Sequence, residues 1–327
     1  MDRRHQSSVG ISTTIRGIVN IMKPFFVFSG QGAQFAGMGR DAAENSAAAR
    51  AIFDAADQAL GYKISEVIFD GPEEKLTRTI YCQPAIYTMS CAMYAAFRER
   101  FADIRPLACA GLSLGEYGAL YAAGAFDFVT GLKLLAKRAE LMDAACRATD
   151  GSMVSVINGD KEVIRDVCEK CAVDVANFNS PGQIVISGER SRLAGAVDAL
   201  KAAGIRKVIP LNVAGAFHSR LMKSAGDALR PVLDGMDFVM PPCPVFHNFT
   251  AAPAADVAEI RRNLAAQVAG SVRWEECVRA MAALGGDTMI EFGPGNVLTK
   301  LCSRTLPDIK TCNIGTFDAI AQFSLLD

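Results

Sequence analysis

Short apolar runs alternate with longer segments of helical period along this chain. Phe25-Phe-Val-Phe28 precedes a helical pattern from about Met38, Leu107–Ala110 precedes one from Leu114, and Thr288–Phe292 precedes one from Asn296. Uninterrupted apolar strands joined through helices predict a parallel sheet with both faces covered, hence an α/β fold. Between 151 and 211 the texture changes. Met153–Ile157, a helix near 160–171, Val173–Asn177, Gln183–Ser187, a helix near 190–203 and Lys207–Leu211 spell β-α-β-β-α-β. That order is a ferredoxin-like unit set into the larger domain. The expected division is therefore a main domain over 22–149 and 212–310, an insert over 150–211, and a C-terminal tail over 311–327.

Composition narrows the partners. Lys and Arg number 34 against 35 Asp and Glu, so the net charge of -1 provides no overall field for nucleic acid. Ten cysteines scattered through apolar segments, with no secretory signal, predict reduced thiols in a cytoplasmic protein. Cys168 and Cys171 have redox or zinc spacing, but no second pair and no neighbouring histidine completes a metal site. Residues 1–21, with three arginines and one acid, are expected to be a poorly structured leader: a transit peptide or, more economically, untranslated sequence before Met22. No apolar run approaches the roughly 18 residues that span a membrane.

The chemistry centres on Gly111-Leu-Ser-Leu-Gly115, a G-x-S-x-G pattern between a buried strand and an amphipathic helix. In so tight a strand-to-helix turn, the glycines let backbone meet backbone. Ser113 then stands at a helix N-terminus, with the Leu114 N–H as an oxyanion donor. The blander alternative is a small serine in a packed turn. A serine nucleophile needs a base, and the chain has three histidines. His5 lies in the leader. His218, in Gly215-Ala-Phe-His-Ser219, is flanked by small residues that permit close approach and is preferred; His247 remains open, as a base or as a satisfied buried imidazole.

Two further features bear on substrate. The loop Ser29–Gly39 is glycine-rich, but Phe35 occupies the third glycine position of a dinucleotide fingerprint. A close backbone approach to a ligand is still implied, and the Gln31 N–H is a candidate second oxyanion donor. Arg138 falls on the apolar stripe of its helix, between Leu135 and Met142, whereas Lys133, Lys137 and Glu140 lie on the polar face. A buried guanidinium seeks an anion: either a substrate carboxylate held bidentately, or an internal salt bridge, unless the side chain snorkels out.

With these motifs assembled, the sequence resembles the malonyl-CoA:acyl-carrier-protein transacylases and the related acyltransferase domains of polyketide synthases. The likeness runs from Phe25 to about residue 305 through FSGQGAQFAGMG, the Gln83-Pro-Ala segment, GLSLGEYGAL, KRAELM, GAFHSRLM, VRWEE and EFGPGNVL. It implies an α/β-hydrolase-like core with a ferredoxin-like subdomain. It implies that Ser113 is acylated, that His218 is general base and acid, that the N–H groups of Gln31 and Leu114 form the oxyanion hole, and that Arg138 clamps the malonyl carboxylate. The family orients its histidine with a backbone carbonyl, here that of Gln267. An acyl carrier protein is the implied partner and malonyl-CoA the donor; no cofactor or metal is required, and a monomer is expected. Phe217 beside the base resembles the malonyl-selecting variant of the polyketide relatives. Leu112 departs from the usual histidine before the nucleophile. The rival functions are a serine hydrolase built on the same elbow and a carrier-binding module without activity.

Overall fold

The computed structural model describes residues 22–323, so the leader expected over 1–21, with His5, lies outside the described residues. Five parallel strands make the main sheet: β1 (Pro24–Phe28), β2 (Ala108–Gly111), β7 (Val245–Phe246), β8 (Thr288–Phe292) and β9 (Lys310–Ile314), in the order β7-β2-β1-β8-β9. β1 reads PFFVF and is wholly buried, as a central strand must be when helices cover both faces. Phe26 and Phe28 point to one face, where they meet Phe97 and Phe292; Phe25 and Val27 point to the other, against Trp274 and Met281.

The helices on the larger face are α1–α4 (Arg40–Asn45, Ala47–Leu60, Ile64–Asp70, Glu73–Thr77), α5 (Thr79–Arg100), α6 (Gly115–Ala123) and α7 (Phe128–Arg147). α10 (Lys223–Asp234) and α11 (Val257–Gln267) extend that layer, and α12 (Trp274–Ala282) and α13 (Val297–Thr305) cover the opposite face.

The insert forms its own antiparallel sheet from β3 (Gly151–Ile157), β4 (Asp174–Ser180), β5 (Gln183–Glu189) and β6 (Lys207–Pro210), in the order β4-β5-β3-β6. Its helices α8 (Lys161–Cys171) and α9 (Arg190–Ala202) bury Ile164, Leu193 and Leu200 against Val156 and Ile186. The fold is thus an α/β core with a parallel sheet and a ferredoxin-like subdomain. A backbone seam ties the two sheets: Val272 N donates to Ala176 O at 2.8 Å and Phe178 N to Val272 O at 2.9 Å.

The tail expected over 311–327 is corrected as far as residue 323. β9 is the edge strand of the main sheet, and α14 (Phe317–Phe323) packs Phe323 on Phe97, with ring centroids 5.0 Å apart. The half-exposed strand KTCNI gives little apolar signal, which is why its pattern reads as a tail. Among the described residues no helix is long and apolar enough to cross a membrane.

Candidate active site

The elbow is built by glycines. A Cβ on Gly111 would lie 2.0 Å from the Gly115 carbonyl, and one on Gly115 would lie 2.1 Å from the Phe28 carbonyl oxygen, so neither position accepts a side chain. Between them Ser113 takes φ 53°, a left-handed conformation that a non-glycine residue adopts only when its surroundings impose it. What imposes it is Asn248, just past β7: its Oδ1 accepts from Ser113 N at 2.6 Å and its Nδ2 donates to Gly111 O at 2.8 Å.

His218 approaches from the loop after the insert, itself at φ 55°. A Cβ on Gly215 would meet Cys146 Sγ at 2.4 Å, so this glycine lets the loop lie directly on α7. Ser113 Oγ and His218 Nε2 are 2.8 Å apart, and His218 Nδ1 is 2.8 Å from Gln267 O. Gln267 is the last residue of α11, where carbonyls have no intrahelical partner. A carbonyl only accepts, so Nδ1 carries the proton and Nε2 is left to accept from the serine hydroxyl. Burial and the nearby Arg138 cation push the imidazole pKa down from 6.5 to about 4, outweighing the upward pull of the Gln267 carbonyl. At neutral pH the ring is therefore uncharged, as a base must be.

Arg138 sits on α7 at 1% exposure. Its NH1 donates to Gln83 Oε1 at 2.6 Å, and its NH2 to Ser113 Oγ and to Gln267 Oε1, both at 3.0 Å. Every one of these partners is neutral. Among the described residues Arg138 forms no salt bridge and its Nε has no acceptor, which removes the internal ion pair and the snorkelling side chain that its spacing left open. Burial lowers its pKa, while Tyr117 and Glu116 nearby hold it up. The backbone N–H groups of Gln31, after β1, and Leu114, at the start of α6, likewise have no protein acceptor.

Residues 25–317 match the acyl transferase domain family. The chain belongs to that family. The acyltransferase is 40% identical over 300 residues to the malonyl CoA-acyl carrier protein transacylase of Bacillus subtilis, covering 90% of this chain and 94% of the relative. It is 37% identical to the namesake protein of Escherichia coli, covering 90% and 97%. A malonyl-transacylase solved in complex with its type II PKS acyl-carrier protein superposes with TM-score 0.90 at 36% identity, covering 93% of this chain and all of that one. An acyl carrier protein S-malonyltransferase from Vibrio cholerae gives TM-score 0.89 at 36% identity, covering 92% and 99%.

Beneath the elbow the acyltransferase carries a second polar layer that sequence reasoning missed. Glu116, on the first turn of α6 and fully buried, accepts from Asn248 N and Gln267 Nε2 at 2.8 Å each and lies 2.7 Å from His247 Nδ1. His247 is therefore held in a buried pair with Glu116, and the structure does not bring it to Ser113. Gln83 has no role in the sequence reading either, although its segment is one of the family motifs. α5 brings it to Arg138 because Gly131 on α7 leaves room for Tyr87: a Cβ there would lie 2.2 Å from the Tyr87 hydroxyl. The signal available in the sequence was a glutamine, a glutamate and an asparagine inside otherwise apolar segments, each a polar group that burial obliges to find partners.

Proposed function

We propose that this chain transfers a malonyl group from malonyl-CoA to the phosphopantetheine thiol of an acyl carrier protein, through a malonyl-serine intermediate, supplying fatty acid or polyketide synthesis. The observation that carries the reading is Arg138: a buried cation with neutral partners and an idle Nε, 3.0 Å from the hydroxyl of Ser113. Such a site is completed by an anion, and the anion must reach the reacting serine. In a malonyl thioester one methylene separates carboxylate from thioester, so their carbons are roughly 2.5 Å apart. A carboxylate on Arg138 then brings the thioester carbon to Ser113, whereas an acetyl group leaves the guanidinium uncompensated.

In the proposed mechanism His218 Nε2 takes the Ser113 proton as Oγ attacks the thioester carbonyl. The free N–H groups of Gln31 and Leu114 receive the developing oxyanion, and His218 returns the proton to the departing CoA thiol. The carrier thiol then reverses these steps. Gln267 O keeps His218 in the productive tautomer, a role an acidic residue often fills. These steps call for no cofactor, and one chain supplies every group, so a monomer suffices. Ten free thiols support a reducing compartment such as the cytoplasm. The similarity to a malonyl-transacylase solved with its carrier protein supports the choice of partner.

The test is intact-protein mass after brief mixing with malonyl-CoA, then with holo carrier protein. A malonyl adduct that persists in water and discharges onto the carrier is expected. Free malonate and CoA without an adduct would sink the proposal in favour of hydrolysis.

A further inference from the structure

Cys109, in β2, and Cys243, on the irregular stretch leading into β7, hold their sulfurs 3.8 Å apart. Among the described residues no other two cysteine sulfurs are in such contact. The approach is built by the ladder: Cys109 N donates to Pro244 O at 2.8 Å, and Cys109 stands opposite Val245 in the parallel register. Pro242 and Pro244 flank Cys243 and restrict its backbone, so the sulfur is presented rather than left to wander. The two thiols differ in access, Cys109 being fully buried and Cys243 half-buried. A reagent from solvent reaches Cys243 first and finds Cys109 directly behind it.

We propose that Cys109 and Cys243 form a peroxide-responsive dithiol, in which Cys243 is the attacking sulfur and Cys109 the resolving one. In the first step the Cys243 thiolate attacks hydrogen peroxide; the O–O bond breaks, an S–O bond forms, and hydroxide leaves, giving a sulfenic acid. In the second, the Cys109 sulfur attacks Cys243; the S–O bond breaks, the S–S bond forms, and the sulfenic oxygen departs as water with the Cys109 proton. Both sulfurs are oxidised by one electron each and the two peroxide oxygens are reduced. Closing from contact to a bond of about 2 Å requires a shift that the irregular segment before β7 can make. A hydrogen bond from Cys109 lowers the Cys243 pKa and outweighs the opposing effect of burial, while Cys109 itself is pushed up, which matches the assigned order of attack.

Resolution by Cys109 also keeps Cys243 from climbing to the irreversible sulfinic acid. The bond joins the strand that ends in the serine elbow to the segment that ends in Asn248. Oxidation of this pair is chemically independent of acyl transfer.

The test exposes the reduced full chain to equimolar hydrogen peroxide, blocks free thiols, and maps peptides without reductant. The expected product is a Cys109–Cys243 cross-link with the mass of two hydrogens lost, reversed by a thiol reductant. In Cys109→Val, dimedone is expected to trap a sulfenic acid at Cys243, and without dimedone the same residue proceeds to sulfinic acid. Cys243→Ser, a milder change at a half-buried site, should take up neither. The proposal is overturned if wild-type Cys243 stays reduced while other cysteines oxidise, if the cross-link maps elsewhere, or if Cys243→Ser loses two hydrogens as readily.

Discussion

The two described histidines near the elbow, His218 and His247, are both buried and both hydrogen-bonded, yet they are held in opposite ways. His247 Nδ1 lies 2.7 Å from the buried carboxyl of Glu116, among groups that satisfy one another. His218 faces a neutral carbonyl on one side, a serine hydroxyl on the other, and a cation nearby that makes protonation costly. Burial alone does not make a histidine reactive. A ring bonded to a buried carboxyl within a closed network is already committed, whereas one whose acceptor nitrogen meets only a reactive hydroxyl keeps the capacity to take its proton.

Five experiments test that contrast, the most damaging substitution first. His218→Ala should lower malonyl loading of Ser113 on the order of 10³-fold or more with little change in melting temperature, measured by stopped-flow mass analysis and thermal unfolding. His247→Ala should do the reverse, costing about 2 kcal/mol of stability by denaturant titration because the buried Glu116 carboxyl loses a hydrogen-bond partner. If His247→Ala abolished loading in a protein that still folded, the contrast would fail. Arg138→Ala is expected to reduce malonyl loading about a hundredfold and leave acetyl loading unchanged or improved, read from competing CoA esters in one reaction.

The fourth experiment varies pH. With a His218 pKa near 4, kcat/KM for loading should stay flat from neutrality downward and fall only as pH drops through about 4. The acid limb of kcat should lie at higher pH, because a bound malonyl carboxylate offsets the Arg138 charge that holds the ring down. Stability shares the sign: the group is depressed in the fold, so its contribution is complete above about 6.5 and is lost as pH falls towards 4, a slope His218→Phe should flatten. Coincident limbs in kcat and kcat/KM would contradict a carboxylate on Arg138. Smallest is Leu112→His, expected to change loading by less than about tenfold, since Leu112 packs on the Trp274 side of the sheet and makes its hydrogen bonds at the elbow through its backbone alone.

Local features were legible in the sequence and distant ones were not. All six elements of the insert could be read because each is amphipathic or apolar over its own length and joined by a short turn. The elbow was legible because its glycines and serine fall within five residues, Gly111 to Gly115, even though the atom that excludes a side chain at Gly115 is the distant Phe28 carbonyl oxygen. Arg138 stood out as a charge on an apolar stripe, but nothing in its own helix indicates that Gln83, 55 residues upstream, would meet it. Glu116 and Asn248 are separated by 132 residues and were invisible for the same reason, and β7, only two residues long, is too brief to mark the asparagine beyond its end. Polar residues that serve one another across the fold leave no periodicity, only the obligation to be satisfied.

Gln267 meets three of the groups at the elbow. Its carbonyl oxygen is at His218, its Oε1 at Arg138, and its Nε2 at the carbonyl of Ser113. One residue therefore serves as the common datum from which three others are located, much as a surveyor sights several marks from a single station. A shift in the placement of α11 moves all three sightings together and leaves their mutual spacing largely intact, whereas a change of side chain at the station removes two of them at once. Variation at this position therefore loses the contacts to Arg138 and Ser113 together, while the backbone carbonyl at His218 is one that any residue supplies.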